Sequence, residues 1–276
     1  IERSGAPDVA AVLVEQVGIQ LEGGTPTGAG VQLQGFGAQR VLILVDGQPL
    51  VGRLNGNLDL SRIPTSMVER IEVVKGPQST LYGSDAIGGV INVITRRPER
   101  GRTDLSLQAI GGDLGRREAS VNAQRGSARL DLALDAGART QDLAPGVADP
   151  SDAYARRAHL APTLRWRATD AWTLETGGLV VDESQRYRTG LDFRFADRTQ
   201  LAWRAGAAWQ HGDHRIRPLV YVTRFDHLAR SSPGAAPLDG AGDRDRQDLA
   251  EFELTYTGRL RGVALDAGVE ARREGI

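Results

Sequence analysis

Cysteine is absent from the 276 residues, which excludes disulfides, thiolate nucleophiles and cysteine-bound metals. Histidine occurs four times and nowhere in the first hundred residues, a poor basis for a zinc enzyme. Lys75 is the only lysine among 34 basic residues, and the formal net charge is -1. No global field therefore draws the chain toward nucleic acid. No apolar run approaches the roughly 18 residues of a membrane helix, and mean hydropathy is -0.31. That excludes a helical span but leaves open a membrane β-barrel, whose strands are only half apolar. The low aromatic content, 5%, weighs mildly against a barrel. The chain starts at Ile1 without an initiator methionine and is read as a piece of something longer.

What is present divides near residue 98. In the first part, Asp8 to Gln16 reads as a short helix with Val9, Leu13 and Val14 on one face, and the stretch from Gly23 to Gly30 reads as a turn cluster. Val41–Val45 is an apolar run suited to a strand buried on both faces. Asp46-Gly47 follows it as a hairpin signal, because a type I′ turn needs positive φ at both central residues. Residues 51–60 read as loop. One helical turn is expected after Pro64, then a strand through Ile71, Val73 and Val74, a second helical turn at Gln78–Tyr82, and a last strand at Gly89–Thr95. Short strands joined by tight connections predict a compact α+β domain.

Ser79 and Ser84 are the only nucleophile candidates of note, but "YGSDAIG" lacks the G-x-S-x-G spacing and no histidine is at hand. Gly28, Gly30 and Gly35 do not make a dinucleotide fingerprint. This part is read as non-catalytic. Its segments "LQGFG", "RVLILVDGQPL" and "IPTSMVERIEVVKGPQSTLYGSDAIGGVINVITRRP", in that order, resemble the plug domain of TonB-dependent outer-membrane receptors. The departure is Gln34-Gly35, where that family usually carries Arg-Gly. The resemblance also implies a TonB-contacting segment that these residues do not include.

The remainder predicts strands by period two. Leu130, Leu132 and Leu134 alternate with Arg129, Asp131 and Asp135. Leu160, Leu164 and Trp166 alternate with His159, Arg165 and Arg167. The same pattern recurs at Leu201–Trp209, Phe252–Tyr256 and Val263–Val269. Short connections at Gly126-Ser127, Thr169-Asp170, His211–His214 and Arg259–Gly262 alternate with long polar ones at 139–156, 184–199 and 226–247. About nine strands result, with short turns periplasmic and long ones extracellular. Trp166 and Trp172 flank one short turn, where an aromatic girdle is expected. Plugged transporters use about 22 strands, so the fold class read here is an α+β plug over residues 1–98 followed over 99–276 by part of an antiparallel transmembrane β-barrel. A soluble β-sandwich shows the same alternation. The alternative reading is accordingly a cell-surface adhesin or binding module without transport.

Ligand contacts are expected from Thr25 and Thr27 in the first loop and from Gln48, Arg53, Asn55 and Asn57 after Asp46-Gly47. Arg70, Glu72 and Lys75 are the candidates for releasable charge pairing between plug and barrel. Asp142, Asp149 and Asp152 offer part of a calcium shell; the cobalamin receptor of the family has acidic residues in a similar loop. A second acidic stretch, Asp239 to Asp248, is partly neutralised by Arg244 and Arg246, and His211 with His214 reads as a polar turn. The resemblance implies no enzyme and no cofactor beyond that calcium. It implies residence in the outer membrane of a Gram-negative cell, in contact with lipid and with no nucleic acid. The activity implied is TonB-driven uptake of a scarce large nutrient, a ferric siderophore or cobalamin.

Overall fold

A computed structural model describes residues 6–24, 28–78, 86–113, 115–142, 154–189, 192–233, 242–260 and 263–275. The chain divides into two compact units, Ile1–Arg96 and Arg97–Ile276. The described residues contain no helix long and apolar enough to cross a membrane.

The first unit opens with a helix, Val9–Val14, whose N-terminus is capped by the Asp8 carboxylate accepting from the Ala11 N–H. A two-stranded ribbon follows, β1 (Ile19–Gly24) paired with β2 (Gly28–Leu33). Then come β3 (Val41–Val45), β4 (Gln48–Pro49), β5 (Arg53–Leu54), β6 (Asn57–Leu58), β7 (Val68–Lys75) and β8 (Gly89–Thr95). Four of these form a mixed sheet in the order β4-β3-β8-β7, with β3 and β8 parallel. Being central, β3 and β8 are the most apolar, and Val41, Ile91 and Val93 are fully buried.

Three tight turns share one geometry. Gln34-Gly35, Asp46-Gly47 and Asn55-Gly56 all have positive φ at both residues, the pairing that matches strand twist in a two-residue hairpin. The third corrects the reading of 51–60 as loop. Asn55-Gly56 joins β5 to β6 in a small hairpin, invisible to periodicity because each strand is two residues long. The helical turn after Pro64 is present at Thr65–Met67; the one expected at Gln78–Tyr82 falls mostly outside the described residues.

The second unit is a single nine-stranded antiparallel sheet in sequence order. Its strands are β9 (Thr103–Gly111), β10 (Arg117–Gly126), β11 (Leu130–Asp142), β12 (Tyr154–Arg167), β13 (Trp172–Thr189), β14 (Asp192–His211), β15 (His214–Ser232), β16 (Asp243–Leu260) and β17 (Val263–Gly275). The strand count agrees with the sequence reading, but two of the expected long connections are shorter than expected. The ladder between β13 and β14 runs through Ser184↔Asp197 to Thr189↔Asp192, so most of 184–199 is strand. Likewise β15 and β16 pair as far as Ala229↔Asp243, inside the expected 226–247 loop. Backbone pairing continues there although polar residues such as Glu183, Ser184, Asp197 and Arg198 occupy both faces, which blurs the alternation that marks a strand in the sequence.

Candidate functional site

The cross-strand register sorts the second unit's side chains into two faces. On one, Leu132 lies opposite Leu164, Leu164 opposite Thr176, and Thr176 opposite Ala205. Leu130, Trp166 and Leu174 form the adjoining row. These side chains are exposed, as are Val220 at 49% and Phe252 at 42%. Exposed leucine, valine and tryptophan at every second residue of adjacent strands form a continuous apolar patch of the kind that faces lipid or another apolar surface. Along β13 and β14 the apolar stretch runs from the Trp172↔Trp209 pair to the Val180↔Leu201 pair. That is about nine residues, the length a tilted strand needs to cross hydrocarbon. Trp209 extends the aromatic girdle expected from Trp166 and Trp172.

Polar atoms on this apolar face are satisfied locally. The Trp203 indole N–H donates to Thr176 Oγ1 at 3.0 Å, and that hydroxyl donates to the Arg204 carbonyl, also at 3.0 Å. The Trp203 ring lies against Gly178, its direct cross-strand neighbour, and a Cβ there would come within 2.3 Å of the ring. Beyond the apolar stretch the same face turns ionic, with Arg224 paired to Asp248 at 2.5 Å and Arg246 to Asp226 at 2.8 Å. From Asp243 on, the acidic stretch noted near 239–248 is strand, and Asp248 in it is paired across the ladder.

The opposite face is a chain of charge pairs. Glu183 accepts from Arg157 at 2.9 Å and from Arg198 at 2.8 Å, and also from Gln185. Asp135 accepts from Asn122 at 3.0 Å and contacts His159 Nε2 at 2.8 Å. Arg165 and Arg204 share Glu175 at 2.6 and 3.2 Å, and Arg167 engages Asp131. Glu183 and Arg198 are only 2% and 3% exposed, and each carboxylate named here has a cationic or hydrogen-bonding partner. Asp131 and Arg165 thus belong to paired networks, and a sandwich interior need not be invoked.

In the first unit the turns are held by side chains. The Asp46 carboxylate accepts from the Thr95 N–H at 3.0 Å and the Thr95 hydroxyl at 2.7 Å, and the Gly47 N–H donates to Asn92 Oδ1 at 3.0 Å. Buried Asp59 accepts from the Ala29 and Ser61 N–H groups and from the Ser61 hydroxyl. The candidate ligand residues separate. Asn55 is exposed at the tip of the β5–β6 turn, and Asn57 is half-buried beside Gly30. Gln48 is buried in β4. The Arg53 guanidinium donates to the carbonyls of Ala38 at 2.7 Å, Val41 at 2.8 Å and Gly56 at 3.1 Å, which makes it a brace for this loop. Thr25 and Thr27 lie outside the described residues.

Arg70 is held by Glu69 and Glu72 of its own unit at 3.0 and 2.9 Å. Its hydrogen bond to Glu72 pushes the guanidinium further above its ordinary range. Lys75 donates to the Val17 carbonyl at 2.8 Å. Asp142 ends β11 against Gly115, while Asp149 and Asp152 lie outside the described residues. Among the described residues no group of three or more metal-ligating side chains converges. His211 stacks on Trp209 and His214 bonds Tyr256 at 2.7 Å. Sequence reading missed Glu183 and Asp59 as organising residues; both are acids whose importance comes from partners remote in the chain.

Comparison with known proteins agrees with this division. Residues 1–90 match the family model of the TonB-dependent receptor plug domain. A curated relative, the vitamin B12 transporter BtuB of Vibrio vulnificus, is 36% identical over 152 residues, 54% of this chain and 25% of that protein. Among solved structures, the ferric-catecholate import receptor Fiu of E. coli K12 superposes with a TM-score of 0.72 at 18% identity, over 99% of this chain and 48% of that one. The siderophore receptor PirA of Acinetobacter baumannii gives 0.56 at 16% identity, over 98% and 54%. The chain spans about half the length of these solved receptors. Residues 1–90 match the plug domain of TonB-dependent receptors, and the chain as a whole shares the fold of about half of these solved import receptors.

Proposed function

We propose that the full-length protein is a TonB-dependent outer-membrane transporter that takes up a metal chelate, of the cobalamin or ferric-siderophore class, with energy supplied through TonB. The observation that carries this reading is the sequence of parts. A plug domain precedes a sheet with one face apolar over a membrane-crossing length and the other filled with satisfied charge pairs. An adhesin has no use for a predominantly apolar exposed face about nine residues deep. Among the two ligand classes, the 36% identity to a vitamin B12 transporter favours a corrinoid; the likeness to siderophore receptors supports the fold alone. Asn55, with Asn57 behind it, is the plug position best placed to present hydrogen-bonding groups. Calcium at Asp142, with Asp149 and Asp152, is part of the same proposal.

The reading is tested by expressing the full-length gene in a strain lacking its own cobalamin receptor and measuring uptake of labelled cyanocobalamin beside a labelled ferric catecholate. Uptake of either that disappears when TonB is deleted supports transport. Recovery of the protein in the soluble fraction, or membrane insertion with uptake of neither, overturns it.

A further inference from the structure

A cation on the lipid side of a barrel is costly at the midplane and nearly neutral at the rim. Arg125 is such a cation. It lies on the apolar face of β10, directly opposite Leu132 on one side and Thr103 on the other. The next residue, Gly126, ends the strand at a short turn. Arg125 is exposed and has no hydrogen-bond or ion-pair partner among the described residues. On the same face at the far end of the apolar stretch, Arg224, Arg230 and Arg246 are paired with Asp248, Asp197 and Asp226.

Beside Arg125 the surface is hollow. A depression of about 600 Å³ runs from Arg125 over Leu132 and Leu164 to Trp203. Its floor is low because Ala123 and Pro162 are small. Trp203, flattened on its glycine neighbour, closes the far end. Arg125 stands next to a turn, whereas Trp203 lies well inside β14, which runs on to His211. The hollow therefore crosses the apolar face obliquely, from the rim to the interior of the hydrocarbon-facing stretch.

We propose that this groove holds one glycerophospholipid of the leaflet on the short-turn, periplasmic side. Its phosphate sits on Arg125, and one acyl chain lies over Leu132, Leu164 and Pro162 toward Trp203. Charge complementarity selects the occupant, because a lone rim guanidinium attracts a phosphodiester. A lipid tail gains nothing by leaving other tails, so the groove adds shape and packing while the phosphate carries the preference. The proposal rests on reading the sheet as a membrane barrel wall.

The test uses full-length protein in mild detergent, with bound dioleoyl-phosphatidylglycerol counted by native mass spectrometry. Dioleoylglycerol, which has the same chains and no phosphate, is the comparison. The wild type is expected to keep one phosphatidylglycerol through detergent exchange. Arg125→Gln should lower occupancy roughly five- to tenfold, and Arg125→Lys should restore most of it. Ala123→Phe should lower it by filling the groove with the charge intact. All variants should keep heat-modifiable migration, the sign of a closed barrel. Equal retention by wild type and Arg125→Gln, or dioleoylglycerol bound as well as phosphatidylglycerol, overturns the site. Recovery of the protein as a soluble species overturns the barrel reading itself.

Discussion

At Gly89 the plug has no room for a side chain. Its φ is +138°, and a Cβ would stand 2.4 Å from the Val74 carbonyl oxygen and 2.5 Å from Leu33 Cδ2. The "AIGGVINV" motif therefore needs glycine for close approach of β7 and β2. Gly89→Ala is expected to destabilise the plug by about 2–4 kcal/mol. Gly111→Ala, with nothing within 4 Å, should change stability by less than about 0.5 kcal/mol. Trypsin cleavage of the full-length membrane protein at Lys75 reports the difference, faster for the first variant and unchanged for the second. Asp46 is the companion case. It adopts a left-handed conformation and accepts two hydrogen bonds from Thr95. Asp46→Ala should cost about 2–3 kcal/mol, from two lost bonds and a left-handed alanine. Both roles were partly legible: Asp-Gly announces a turn, whereas nothing local announces Thr95 as its partner.

Strands of the second unit divide their labour by face and by depth. Glu183 of β13 is held between Arg157 of β12 and Arg198 of β14. Glu183→Ala leaves the buried Arg198 guanidinium and the half-buried Arg157 one without that counter-charge. The expected loss is about 3–5 kcal/mol by urea unfolding of the refolded barrel. Pairing Glu183→Ala with Arg198→Met should recover part of it, and an additive double variant would sink the idea of a coupled network. On the apolar face, Val222 adjoins Trp203. Val222→Arg should cost about 2–4 kcal/mol in lipid vesicles, against less than about 1 kcal/mol for Val222→Leu. Alternation made these faces readable in the sequence wherever one side is apolar. It failed along 184–199, where Ser184 bonds Asp197 and Asp182 bonds Thr199 on one face while buried Glu183 and Arg198 pair on the other, because polar residues on both faces remove the pattern while the ladder persists.

For the whole molecule, the two units carry different kinds of order. The first is built on tight turns and short strands packed around a buried apolar core that includes Leu13, Leu33, Leu60, Ile63 and Ile91. The second is one continuous ladder, and in residues 97–276 alone its first and last strands, β9 and β17, each pair on one side only. An unpaired strand edge is an aggregation template. Residues 97–276 expressed without the rest of a barrel are therefore expected to form insoluble material. Recovery of that fragment as a stable monomer in aqueous buffer would contradict the membrane reading.

Some of this follows from the order of residues alone. Absence of cysteine and scarcity of histidine are composition, and Asp-Gly at a hairpin and period-two alternation depend only on near neighbours, so all can be read without a fold. The plug resemblance belongs here too, since its motifs are contiguous. What tertiary structure decided is every pairing between distant residues: Asp46 with Thr95, Glu183 with Arg157 and Arg198, Trp203 upon Gly178. It also decided that Arg53 braces a loop and that Arg125 faces an apolar hollow. A charge in a sequence has no direction until the strand register assigns it a face, and only pairing across the sheet sets that register.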